Sequence, residues 1–151
     1  AAAAALSGWG YIADEVAAVD PTTLTVAPYH RPIGLRRAGA EALGLRFPAE
    51  RTVPGDAMDW PIDPEHRSPG GIVRLVALVT WQPDSTPACD AVTPAQAMVE
   101  LLQHLVVDDA AIAWCFGAVE RIVRAVPVVR LTYSDPPAGL AQLTTCMESD
   151  A

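Results

Sequence analysis

Apolar and polar positions follow no single period along this chain, and the changes of pattern mark its elements. Residues 1–6 are almost wholly alanine. They read as the tail of a helix that starts upstream or as the point where a gene fragment begins, with Gly8 placed for a left-handed cap. Tyr11-Ile12-Ala13 is a short apolar run between a Gly-Trp-Gly turn and two carboxylates, which predicts a brief buried strand. Residues 16–19 and 24–27 flank the turn-forming Asp20-Pro21-Thr22-Thr23 and are expected to form a hairpin. Pro28-Tyr29-His30-Arg31-Pro32 is held extended by its prolines and leads into a strand at 33–35. Residues 37–43 form a short helix candidate that stops at Gly44.

Between 47 and 71 the prolines and glycines (Pro48, Pro54-Gly55, Pro61, Pro64, Pro69-Gly70-Gly71) break every period, so a long irregular connection with room for one short strand is expected. Connections of that length are often functional or mobile. Residues 72–81 are nearly all apolar and read as a central strand covered on both faces. Thr93-Pro94-Ala95-Gln96 is a helix start with a capping box, and the helix 94–105 sets Ala97, Leu101 and Leu105 on one face. A second helix over 109–124 begins with acids and ends with arginines, as the helix dipole favours. A strand at 126–133 and a closing helix at 138–146 complete the series. The expectation is one α/β domain over residues 1–151, a mixed sheet with flanking helices and no internal repeat.

At 151 residues and 51% hydrophobic content the chain can fill a sizeable core. The net charge is −8 and the ten basic residues are scattered, which argues against nucleic acid or an anionic membrane as partner. All ten are arginines, and asparagine is also absent. The surplus of Ala, Val, Pro, Asp and Arg fits GC-rich coding, which weakens any mechanistic reading of arginine in place of lysine. No apolar run reaches the roughly 20 residues of a bilayer span, and residues 1–6 lack the basic region and cleavage pattern of a signal peptide. Cys89, Cys115 and Cys146 are odd in number and have no CxxC spacing. They read as thiols in a reducing cytoplasm.

The chemistry concentrates at Asp14-Glu15. Adjacent acids at a strand end project in opposite directions, so one can face a metal and phosphate while the other faces a nucleophile. The alternative is a solvated turn. His30, Arg31, Arg36 and Arg37 lie close in sequence, and arginine suits bidentate contact with a phosphate; a solvated basic stretch is the plainer reading. Asp63-Pro64-Glu65-His66 resembles a sparse metal site with no second histidine or cysteine at ligand spacing, and reads as a soluble loop. His104 is placed at a helix end, Asp108-Asp109 as caps of the next helix, and Trp114-Cys115-Phe116 in helical packing.

Taken together, Gly8-Trp9-Gly10-Tyr11-Ile12-Ala13-Asp14-Glu15-Val16, Val19-Asp20 and Pro28-Tyr29-His30-Arg31-Pro32-Ile33 resemble the part of HPr serine kinase/phosphorylase-like domains that follows the P-loop. The strand at 72–81, the helix opening Thr93-Pro94-Ala95-Gln96-Ala97, and Arg124-Ala125-Val126-Pro127-Val128-Val129-Arg130-Leu131 before Tyr133-Ser134-Asp135 agree in order. The resemblance implies a phosphoenolpyruvate-carboxykinase-like P-loop kinase fold, N-terminally incomplete here. It implies ATP and Mg²⁺ as cofactors and transfer of phosphate to a serine hydroxyl of a protein or peptide. Asp14 matches the family's first acid, a general base or metal-linked residue. Glu15 matches the acid beside it, where the family usually has a second aspartate, and Arg31 and Arg36 become the expected phosphate contacts. A homo-oligomer stands among the expected partners, apart from the resemblance. The GxxxxGK[ST] loop that cradles phosphates is not in the sequence, so these residues alone are expected to bind ATP poorly. The competing expectations are a non-catalytic binding or scaffold module that has lost its nucleotide site, and a phosphatase or phosphorylase that uses the same acids.

Overall fold

The N-terminal alanines form α1 (Ala2–Leu6), and Gly8 closes it at φ +86°, its N–H bonded to Ala5 O while Trp9 N–H reaches Ala4 O. The computed structural model of the protein describes residues 1–46, 57–106 and 111–149. The hairpin forms as its turn chemistry requires. β1 (Ala18–Val19) and β2 (Thr25–Ala27) pair antiparallel, with Ala18 opposite Ala27. The Asp20 carboxylate accepts the Thr22 and Thr23 N–H groups at 2.7 and 3.3 Å and fixes the turn.

The strand expected at 11–13 contracts to a single parallel bridge between Tyr11 and Arg67. Tyr11 N–H donates to His66 O, and Ser68 N–H donates to Tyr11 O. The partner segment lies between Pro64 and Pro69, which cannot donate to a longer ladder.

β3 (Ile33–Arg36) pairs antiparallel with β4 (Ala57–Trp60), and α2 (Arg37–Ala42) follows β3 directly. Ile33 and Leu35 alternate inward and meet Met58, Ile62, Tyr11, Ala40 and the buried alanines of α1 in the first of two cores. Of the connection expected over 47–71, residues 47–56 lie outside the described residues. The rest carries β4, a 3₁₀ turn at Pro64–His66 and β5 (Gly71–Ile72), which joins β2 as the third strand of the hairpin sheet.

Gly70 allows that junction. Its φ is +121°, and a Cβ there would come within 2.6 Å of the Val26 carbonyl oxygen. Gly70→Ala is therefore expected to cost about 1–3 kcal/mol, read as a lower urea midpoint at unchanged slope.

The second core surrounds a three-stranded sheet in the order β6 (Val76–Trp81), β8 (Val128–Tyr133), β7 (Ala88–Ala91); β6 runs parallel to β8 and β7 antiparallel. The capping box forms as expected on α3 (Pro94–Leu102), with Thr93 and Gln96 bonding each other's backbone N–H. The helix stops before residue 105 because Gln103 and His104 tighten into bonds with Glu100 O and Leu101 O. α4 is Ile112–Ala125, with Arg124 in its last turn paired to Glu120; the acids expected at its start, Asp108 and Asp109, lie outside the described residues. Ala97, Val119, Val123 and Val128 pack together on one face of the sheet. There Glu100 of α3 also holds Arg130 of β8 and raises the pKa of its guanidinium. α5 (Pro136–Ser149) covers the other face, where Val79, Leu131 and Tyr133 look toward Gly139, Leu140 and Leu143.

Two expectations are corrected here. The apolar stretch 72–81 is two strands in two different sheets, and its longer piece, β6, is an edge with Val79 58% and Trp81 61% exposed. The covered centre is β8. It takes that place because β7, a short Ala-Cys-Asp-Ala segment with too little strand propensity to be read from sequence, adds to its other side. Among the described residues the architecture is mixed α/β with three small sheets, and no helix is long and apolar enough to cross a membrane.

Candidate functional site

Asp14 sits in a bend just after the Tyr11 bridge, and its Oδ2 accepts the Gly34 N–H of β3 at 3.3 Å. Because the segment is a bend and not a strand end, Asp14 and Glu15 do not diverge as adjacent strand residues would. Both line one small pocket of about 60 Å³, with Tyr29, Arg31, Gly34 and Asp59. The Glu15 and Arg31 side chains approach to 3.7 Å with both largely exposed, so the pair orients Arg31 weakly. Tyr11 lies beneath: its hydroxyl donates to Arg31 O at 2.8 Å, and burial, with the nearby Asp14 charge, pushes the phenol pKa up.

Of the four residues expected to act, Asp14, Glu15 and Arg31 come together. Arg36 does not line this pocket; it ends β3, two residues beyond Gly34, and is exposed. His30 turns to Ser68 O at 2.8 Å and stands 6.1 Å from the Tyr11 ring. Asp59 is the addition that sequence reasoning missed. It enters because Gly34 and Asp59 face each other in the β3–β4 ladder, a pairing between segments separated by α2 and the residues after it, with no local signal.

Carboxylate oxygens are the donors Mg²⁺ takes, so Asp14, Glu15 and Asp59 suit it in kind. A nucleoside triphosphate does not fit this pocket. At about 60 Å³ it is far below the roughly 300–1,000 Å³ of ligand-sized sites, and Arg31 is the sole cation among its described lining residues.

A much larger trough, about 830 Å³, opens on the other side of Glu15 and Val16. The β1–β2 hairpin forms one wall and α4, with Trp114, Ala118 and Ile122, the other. Among the described lining residues Glu15 and Asp20 supply the carboxylates, His104 stands at one side, and none is an arginine. The backbone N–H groups of Thr22 and Thr23 hold the Asp20 carboxyl below the usual carboxylate range, so that charge persists in weak acid. The helical packing expected for residues 114–116 holds only for Cys115, which is buried. Trp114 is 63% and Phe116 50% exposed, because a single helix face meets the core and flanking residues turn away from it.

Asp63, Glu65 and His66 bring one donor atom each within 4.8 Å of one another. The 3₁₀ turn gathers them in a way that ligand spacing along the chain did not suggest, although exposed groups of this kind are common without an ion. None of the three cysteines is in a disulfide. Comparison of the chain with family models, with curated proteins and with solved structures finds no match.

Proposed function

We propose that the chain is an HPr-kinase-like domain that acts on a serine hydroxyl of a protein or peptide, with Asp14 as the acid that receives or orients the hydroxyl proton. One observation carries this reading. A carboxylate tethered by a backbone N–H stands in a pocket sized for a single small group, beside an arginine and next to a trough large enough for a polypeptide segment. A general base must lie within hydrogen-bond reach of the proton it takes, and the Gly34 N–H limits how far Asp14 can swing. Arg31 supplies the positive charge that an anionic group in the pocket would meet. ATP with Mg²⁺ is the phosphate donor that the family resemblance implies. Since the triphosphate does not fit beside Asp14, the groups that hold it lie outside this pocket, and a phosphoenolpyruvate-carboxykinase-like fold and a cytoplasmic setting belong to the same proposal.

The size of the pocket also favours a second reading, a non-catalytic binding module. Calorimetric titration of Mg-ATP into residues 1–151 tests the module. Both readings expect no saturable heat below about 1 mM, because no cradle of backbone N–H groups and lysine is present in the sequence. Micromolar binding contradicts the module. Serine phosphorylation by the intact polypeptide then decides for the kinase.

A further inference from the structure

We infer that the trough between the β1–β2 hairpin and α4 docks an extended polypeptide segment in which basic residues alternate with apolar ones. This rests on the reading above and adds the class of substrate. Glu15 and Val16 line both the trough and the Asp14 pocket, so a segment lying in the trough passes within a residue or two of the acid.

Among the described residues Glu15 and Asp20 are the trough's carboxylates and no arginine lines it; Arg31 approaches Glu15 to 3.7 Å from the neighbouring pocket, which leaves Asp20 as the carboxylate with no cation beside it. A triphosphate, a nucleic acid or an anionic lipid surface would be repelled there. So would a second copy of this chain, which carries a net charge of −8. A basic segment is attracted.

The walls are apolar, with Val19, Val26 and Ile122 and an exposed Trp114, and aromatic anchors of this kind dominate peptide contacts. Among the described residues β1 is the outer strand of its sheet, so its edge can accept an added strand whose side chains alternate between trough and solvent.

The test is fluorescence anisotropy with a labelled octapeptide that alternates valine and arginine around one serine. Its counterpart has glutamate in place of arginine, and nucleotide is left out. The arginine peptide is expected to bind at least about tenfold more tightly than the glutamate peptide, and to lose affinity as salt is raised. Trp114→Ala should weaken it about tenfold, with an unchanged circular dichroism spectrum because Trp114 is 63% exposed. Asp20→Asn keeps the side-chain oxygen that closes the turn and removes the charge, so it should weaken the arginine peptide and leave the glutamate peptide no weaker.

Equal binding of the two peptides overturns the inference, as does indifference to Trp114→Ala. A dimer abolished by Trp114→Ala would make a second copy the occupant, and sedimentation with phosphatidylserine vesicles would make it a membrane; either result also overturns it. The two readings fail separately. Peptide binding without phosphoryl transfer by the intact polypeptide leaves the docking site and removes the kinase, whereas transfer with a KM unchanged by Trp114→Ala removes the docking site alone.

Discussion

Asp14→Asn in the intact polypeptide is expected to lower phosphoryl transfer to a serine peptide by about 10²–10⁴-fold, the usual contribution of a positioned general base. Thermal unfolding should be almost unmoved. The asparagine carbonyl can accept the Gly34 N–H that Asp14 Oδ2 now accepts, so the bend keeps its tether to β3. What is lost is the negative charge and the capacity to take a proton. The effect should appear in kcat, with the KM for peptide nearly constant, because the trough walls are untouched. Asp59→Asn is the control. Asp59 lines the same pocket without the Gly34 hydrogen bond, and it should cost less than Asp14→Asn if Asp14 is the acid that meets the hydroxyl. Unchanged turnover in Asp14→Asn removes the kinase reading and leaves the binding module.

The second large effect is structural. Leu131→Ala should destabilise the protein by about 2–5 kcal/mol, while Val79→Ala should stay within about 0.5 kcal/mol. Leu131 is 5% exposed on β8, with Val79 of β6 on one side and Cys89 of β7 on the other. Truncating it opens a cavity that α5 cannot close without leaving its other contacts on the sheet. Val79 is 58% exposed on the edge strand, so truncation there returns little surface to water. Urea midpoints at constant slope measure both. A central strand at 72–81, as the hydrophobic pattern suggested, would make the two substitutions comparably costly. A large loss from Val79→Ala would show that β6 is covered in solution.

Where local chemistry governs, the sequence was readable. Thr93 and Gln96 specify their capping box because both partners lie within one turn. Asp20 specifies its hairpin turn for the same reason, and the alternation at Ile33–Arg36 gives its buried face directly. The acid pair was legible as a candidate site because two carboxylates end an apolar run, and Arg31 because it lies close by in sequence.

The extent of the strand expected at 11–13, the centrality of 72–81 and the entry of Asp59 into the pocket were not readable. Each depends on what comes from elsewhere in the chain. The prolines at 64 and 69 limit Tyr11 to one bridge, β7 adds to β8 and makes it central, and β4 brings Asp59 to the pocket.

By itself, then, the sequence determined the helices, the turns, the α/β class and the position of the acids, since these follow from periodicity, capping and turn residues a few positions apart. Only the tertiary structure decided which strand is buried, which residues share the pocket with Asp14, and that a trough with an acidic rim runs beside it. Those are matters of pairing between segments 20 or more residues apart, as Asp14 with Gly34 and Gly34 with Asp59. Pairing at that range is fixed by the summed burial of many side chains, for which no single stretch of sequence carries the signal.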